Sequence, residues 1–502
     1  MSFESYTIPI PYLGLNQVDP IDAVPAEFAL DIANLYGESG RLKLRGGCEV
    51  LTDTGEGAPV EGLYSLRLQS GAEQLIAAVN NELHEVSTGT TSDITGSTTP
   101  TSDQWNATVF GNALYLCNGA DTAQGYNGSS TFQDLTFTGV TLANLINVSS
   151  YKERLYFIEK DSGSAWYGGT KVTGLSATPA LTEFDVGYVF KKGGFLLACG
   201  SWSDNIGDNR ADLWWACSSE GEIVFYSGSY PGDSAWTLVA RHPIGRPMGY
   251  RAFVRVNSDV WIITEQGIVP ISALFQAGSA ASESVSRSVN PYLSTYAKQV
   301  GFSHRWHGAH WPNGRRVYLN IPISSNDTRI LVYNTDTGGW FPYEYSNAGV
   351  GLSWAVHDGF PHHGDSGGVV YKAENAKSDN GDFIQYRLRT PFHFFGSRGA
   401  WKRFLDVRPL VRTQRGISLG IAVDTDFKET ASAGTINATS GSSTPWGSPW
   451  GSPWGAGTDY IFERSAVEGQ GHSGAIRIFG SIKDVPLEFN ALQVRFESGG
   501  QV

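Results

Sequence analysis

The sequence predicts an all-β protein: a β-propeller of six or seven blades with a C-terminal β-sandwich and a few short helices. Three observations carry this. Charged residues make up 17% of the chain against about 25% in ordinary globular domains, while 60 glycines and 12% aromatics suit short strands and tight turns better than long amphipathic helices. An apolar or apolar–aromatic–apolar triplet recurs at Leu75-Ile-Ala77, Leu114-Tyr-Leu116, Leu155-Tyr-Phe157, Leu213-Trp-Trp215, Val260-Trp-Ile262, Val317-Tyr-Leu319 and Val369-Val-Tyr371. Their first residues stand 39, 41, 58, 47, 57 and 52 apart, near the repeat of about 40–50 residues of four-stranded propeller blades. Past about residue 380 the texture changes to a basic stretch followed by further strands.

Taken in order, three regions follow: 1–50, 51–380 and 381–502. In the first, Pro25-Ala-Glu-Phe-Ala-Leu-Asp-Ile-Ala-Asn34 reads as a short helix with proline in its first turn, and Arg41-Leu-Lys-Leu-Arg45 alternates as a strand entering a Gly46-Gly47 turn. The second is the propeller, interrupted at 284–300 by a helix that Asn290 would cap with Pro291 in its first position. The third reads as a sandwich with strands at 416–423, 459–463, 475–482 and 493–496. Three Pro-Trp-Gly units between them, carrying Trp446, Trp450 and Trp454, exclude a regular strand and form a long loop.

Charge and cysteine narrow the function. With 36 basic and 49 acidic residues the chain is net −13, which disfavours tight DNA or RNA binding by the whole surface. The N-terminal residues lack the layout of a signal peptide, no apolar run approaches membrane-helix length, and Cys48, Cys117, Cys199 and Cys217 have no Cys-x-x-Cys spacing. Buried, reduced thiols in a protein made in a cytoplasm are expected.

No motif assembles a catalytic site. Gly364-Asp365-Ser366-Gly367-Gly368 matches the nucleophile segment of chymotrypsin-like proteases, but the family's histidine-bearing segment is absent, and a turn between strands is expected instead. His304, His307 and His310 cannot share one face of a strand and are expected to be packed and hydrogen-bonded. Asn334-x-Asp336-x-Gly338 lacks the glutamate of a calcium loop and reads as a hairpin turn. Asp424 and Asp426 have no evident basic partner and read as solvated. No Walker-type loop or strand-linked Gly-x-Gly-x-x-Gly is present; no catalytic residue, metal or cofactor is expected.

Residues 383–415 hold eight basic residues against one acid, Asp406. Arg387, Arg389, Arg398, Lys402, Arg403 and Arg408 belong to this band, which reads either as a solvated sheet face or as a contact with an acidic neighbour. Trp446, Trp450 and Trp454 read either as a loop folded on its own sandwich or as a contact with a partner or the host envelope.

Several segments together resemble one family. They are Asn34 with Leu44-Arg45-Gly46-Gly47; Trp261-Ile-Ile-Thr-Glu-Gln-Gly-Ile-Val-Pro270; Ser288-Val-Asn-Pro291; Leu331-Val-Tyr-Asn-Thr-Asp-Thr-Gly-Gly-Trp340; and Gly364-Asp365 leading to Val370-Tyr371. The chain is similar here to the tail nozzle (tail tubular protein B) and packaged-DNA stabilisation proteins of short-tailed bacteriophages. The resemblance implies a non-enzymatic virion tail protein assembled in the host cytoplasm. It further implies a homo-hexameric ring below a head–tail adaptor that retains packaged DNA and conducts it during ejection without specific binding. Tail fibres or a tail needle, and the host envelope, are the further partners it implies. The alternative from another class is a glycan-binding propeller, a tail-tip lectin for host recognition.

Overall fold

The computed structural model describes residues 3–170, 175, 178–204, 211–277, 284–324, 327–346, 349, 351–413, 417–429, 433–437, 459–461 and 463–501. The fold is all-β, and the described residues form a propeller of seven blades, six of which have their strands in chain order. Their first strands are Val60–Arg67, Asn106–Phe110, Leu145–Tyr151, Leu196–Asp204, Phe253–Val256, His307–Trp311 and Ser353–His357. First strands of the second and third, third and fourth, fifth and sixth, and sixth and seventh blades lie side by side, and Ser353–His357 packs on Val60–Arg67 to close the ring. The seventh blade is completed from the other end of the chain: its order runs Ser353–His357, Phe360–Gly364, Val369–Ala376 and then Gly47–Asp53.

Six of the seven recurring triplets fall on the second strand of a blade; the last, Val369-Val-Tyr371, falls on a third strand. Second strands are covered on both faces by neighbouring blades, which is why they read as continuous apolar runs rather than alternating ones. Ala113–Cys117, for instance, is buried at every residue. Between the third and fourth blades the contact is mostly aromatic: Tyr151, Tyr156, Trp214 and Tyr226 pack with Trp236 and Phe184. Each such ring buried contributes roughly 1.5–3 kcal/mol.

The fifth blade has three strands, Phe253–Val256, Asp259–Thr264 and Gly267–Pro270, and the helix Ile271–Ala277 packs on the last two. Asp259 anchors that helix. Its carboxylate accepts the Ser272 N–H (3.1 Å), the Ser272 hydroxyl (2.6 Å) and the Trp202 indole N–H (3.1 Å). The helix expected within 284–300 spans Asn290–Val300 with Pro291 in its first turn. Asn290 does not cap it: its side-chain oxygen accepts the Ser286 hydroxyl at 2.6 Å instead. Among the described residues no helix is long and apolar enough to cross a membrane.

The chain divides into two compact units. One comprises residues 50–330 and 349–372; the other comprises 1–49, 331–348 and 373–502. The second holds the sandwich. A five-stranded sheet runs Asp31–Ala33, Ile384–Arg389, Gly474–Ile482, Ser418–Thr425, Gly434–Asn437, and an eight-stranded sheet is built around Leu487–Gln501 and Ala400–Thr413. Tyr386 against Phe489, and Phe404 against Gly474, join the two sheets; a Cβ at Gly474 would lie 2.6 Å from the Phe404 ring. Residues 1–49, expected as a segment of their own, contribute strands to both sheets.

The helix expected at Pro25–Asn34 is absent; turns lead to the strand Asp31–Ala33. Long-range pairing takes the backbone groups that a helix would use. The Glu27 carbonyl accepts Leu13 N–H, Ala29 exchanges bonds with Gly14 and Asn16, and Leu30 N–H donates to Arg389 O. A ten-residue helix is marginal by itself, so the sheet wins.

Candidate functional site

Two polar assemblies stand out, one in each unit. In the first unit the inner strands of the propeller surround a cavity of about 470 Å³. Asn106, Asn147, Ser149 and Tyr250 line it with Arg251 and Arg255, and among the described residues no carboxylate does. Arg255 Nη2 donates to the Ser201 carbonyl (3.0 Å) and hydroxyl (2.8 Å). Arg251 Nη1 donates to Glu61 O (3.2 Å) and lies 3.3 Å from His304 Nε2. Trp215, also in the wall, has a buried indole N–H without a partner. The strand alternation of a propeller's innermost strands sets small polar groups toward the axis, and here they leave a cationic, hydrogen-bonding slot suited to an anionic or hydroxyl-rich ligand.

The histidines at 304, 307 and 310 do not converge on a metal position. His307 Nδ1–H donates to Arg305 O (2.9 Å) and its Nε2 accepts Trp354 N–H (3.0 Å), which fixes a neutral ring. Burial, reinforced by Arg251, holds the pKa values of His304 and His307 well below the ordinary imidazole value. His310 Nδ1 meets Asn257 N–H at 3.5 Å.

In the second unit Arg45 is fully buried and uses all five donors. Nη1 and Nη2 grip Asp379 Oδ1 (2.8 Å) and Oδ2 (2.6 Å), while Nε donates to Asn34 Oδ1 (2.9 Å). The remaining protons go to Gly46 O (2.9 Å) and Glu344 O (2.7 Å). Asn34, in the left-handed region at φ 59, donates to the carbonyls of Glu344 and Gln385 and accepts Glu344 N–H. Tyr345 lies under the guanidinium, 4.0 Å from ring centroid to Cζ. Burial opposes the charge, but Asp379 outweighs it and the guanidinium pKa is raised. The cluster is a saturated structural joint with no donor left for a ligand.

The basic band is largely neutralised within the sandwich. Arg387 pairs with Asp31 (2.9 Å) and Glu344 (2.6 Å), Arg389 with Asp424 (2.8 Å), Arg403 loosely with Glu497 (3.8 Å). Lys402 is buried and its ammonium donates to the carbonyls of Ser397, Ala400 and His472. Arg408 is half-buried; Arg398 is exposed and rests over Phe394, 4.7 Å from its centroid. Asp424, expected to be solvated, is fully buried between Arg389 and Arg477, a partner 53 positions away in sequence. Asp426 likewise has a structural task, accepting the N–H groups of His472 and Ser473. Trp446, Trp450 and Trp454 lie outside the described residues.

The protease-like segment forms the turn between Phe360–Gly364 and Val369–Ala376. Asp365 accepts Gly367 and Val369 N–H groups at 2.8 Å each, and a Cβ at Gly364 would meet Val60 at 2.4 Å. Asn334 similarly closes its hairpin by accepting Asp336 N–H (2.9 Å), with Gly338 at φ 75. Sequence reasoning missed one group. Glu56, Glu82 and His84 bring one ligand-type atom each to within 4.8 Å of one another. Only Glu82-x-His84, two positions apart on a strand, was visible as a local pattern.

No family model matches the chain, and no curated protein matches it. Solved structures resemble it in part. U3-55K shares 12% identity over 65% of this chain and 98% of its own, with a TM-score of 0.41. The RRP9 WD40 repeats share 11% over 66% and 99%, with a TM-score of 0.40. The extracellular domain of the one-component system BT4673 from B. thetaiotaomicron shares 13% over 79% of this chain and 46% of its own, with a TM-score of 0.43. The chain's own sheets, rather than these likenesses, define its fold.

Proposed function

We propose that this chain is a structural protein of a short-tailed phage tail nozzle. Six copies would ring the DNA path below a head–tail adaptor, retain packaged DNA and conduct it on ejection, with fibres or a needle docking on the ring. One observation supports the reading: the segments that resemble the family are the joints of this fold. Asn34 and Arg45-Gly46 build the buried network with Asp379. Ile268 N–H donates to the Ser286 hydroxyl oxygen (2.8 Å), which donates to Asn290, so segments 261–270 and 288–291 are tied through one serine. Asn334 Nδ2 reaches Gly37 O (2.7 Å), and Asp365 holds its own turn and meets the Tyr371 hydroxyl. Residues committed to such joints fix a shape, and shape is what a ring subunit contributes.

The test is native mass measurement and negative-stain imaging of the full chain, alone and with the adaptor co-expressed. Six-copy rings with an open bore are expected. A folded chain that stays monomeric with and without the adaptor contradicts the proposal. The propeller cavity favours a second reading, glycan binding, since Tyr250 offers a ring face and Asn147, Ser149 and Arg255 offer hydrogen bonds. Saturable binding on a glycan array, lost in Tyr250→Ala, would support that reading instead.

A further inference from the structure

We infer that Glu56, Glu82 and His84 form a divalent transition-metal site, best suited to zinc, that fastens the closure of the propeller. Three independent placements support it. His84 Nε2 stands 3.1 Å from Glu82 Oε2 and 3.9 Å from Glu56 Oε1. Ligands bound at about 2.0–2.2 Å from one ion lie about 3.3–3.6 Å apart in a tetrahedron, so the observed spacings bracket what a single zinc requires. Two of the three ligands are also already held from behind. His84 Nδ1 faces the Thr91 hydroxyl at 3.1 Å, which fixes the ring with Nε2 toward the carboxylates. Asn80 Nδ2 donates to Glu56 Oε2 at 2.9 Å and leaves Oε1 for the ion. Such outer hydrogen bonds on ligating imidazole and carboxylate groups orient real metal sites. Finally, His84 is buried while the two glutamates are only half-buried, so the site is open on one side for an ion and a water.

One nitrogen and two carboxylate oxygens select zinc, cobalt or nickel over calcium, which takes oxygen ligands in larger number. The ring position explains what the ion would do. Glu82 and His84 sit on Glu82–Glu85, the third strand of the first blade. Glu56 sits in the link that follows the strand Gly47–Asp53, and that link hangs on the seventh blade: Thr54 N–H and hydroxyl both donate to Gly368 O, at 3.1 and 2.9 Å. A cation here joins the link of the last blade to the first blade, where the ring is sealed by noncovalent contacts.

The experiment is calorimetric titration of the full chain with zinc chloride, with thermal unfolding followed in parallel. The expected result is one saturable site and a rise in unfolding temperature that a chelator reverses. Glu56→Gln and Glu82→Gln, both at partly exposed positions, should each weaken binding at least tenfold and abolish the thermal shift. Thr91→Val should weaken binding by about 10–100-fold while the metal-free protein unfolds as before. His84→Gln tests the nitrogen directly; His84 is buried, and if that variant misfolds the two glutamate variants decide the question. Equal zinc affinity in both glutamate variants, or no saturable site in the parent chain, overturns the inference. So does an equal thermal shift with calcium.

Discussion

Asp379 balances a guanidinium that has no access to water, and that makes it the residue whose loss should matter most in the sandwich unit. Removing one partner of a buried ion pair strands the other charge, an effect of about 3–5 kcal/mol. Asp379→Ala should therefore lower the unfolding free energy by that order and move the urea midpoint down with it, and Arg45→Met with Asp379→Leu should recover part of the loss. An Asp379→Ala protein with an unchanged midpoint would show that the charge finds another partner. A second residue-scale effect is acid lability. Burial pushes His362 down to about 3 and His393 to about 4, both below the ordinary 6.5. A histidine whose folded pKa is depressed binds its proton more readily unfolded, so its contribution is complete above about pH 6.5 and is lost as pH falls toward the folded value. At about pH 5 His362 alone withdraws about 2 kcal/mol. Unfolding temperature should drop between neutral pH and pH 5, and His362→Leu should flatten that slope; an equally steep slope in the variant would refute the assignment. Single residues were the least legible part of the sequence. Asp424 looked solvated because its partners, Arg389 and Arg477, come from two other strands, and strand pairing is not written locally.

At the scale of elements the sequence was more readable, for a physical reason. Second strands are sandwiched between blades, so Leu114-Tyr-Leu116 and Leu213-Trp-Trp215 had to be apolar throughout and announced themselves. First strands such as Asn106–Phe110 carry mixed polarity, because one face meets the cavity, and gave no such signal. Pro25–Asn34 had the composition of a helix but lies where Gly14, Asn16 and Arg389 compete for its backbone. Tertiary pairing also explains the fifth blade, where a helix packs on the last two strands. Asp259 supplies that helix with its first-turn bonds and holds Trp202 as well. Asp259→Ala should cost about 1–2 kcal/mol, as loss of a helix cap does, and should change the near-ultraviolet signal of Trp202. Equal stability with an unaltered tryptophan signal would mean the helix is held by Ile271 and Leu274 packing alone.

For the proposed ring, the neutralisation of the basic band moves the test of a subunit contact. Reversing Arg387 or Arg389 would break ion pairs inside the sandwich, so loss of a ring would not report on a neighbour. Among the described residues Arg398 and Arg403 are the exposed members of the band, Arg403 held only by its loose pair with Glu497, and they are the ones that would meet an acidic patch on a neighbouring subunit of the proposed ring. Arg398→Glu with Arg403→Glu should leave the isolated chain's unfolding within about 0.5 kcal/mol of the parent, as surface changes do. The same pair should weaken six-copy rings, more at low salt than at high salt. Rings of unchanged stability at low salt would exclude this band as the contact.

The strand Gly47–Asp53 also sets a timetable. It leaves the ribosome about 300 residues ahead of its partner, Val369–Ala376. At roughly 5–20 residues per second the interval is about 15–60 s, during which Gly47–Asp53 has no seventh-blade sheet to join. Phe3–Ile8, paired with Leu487–Gln501, waits longer still. Blades one to six can form in turn as they emerge, since the strands of each are consecutive in the chain. While the chain is being made, Gly47–Asp53 thus stays unpaired beside blades that are already ordered, and the ring closes only when Val369–Ala376 emerges.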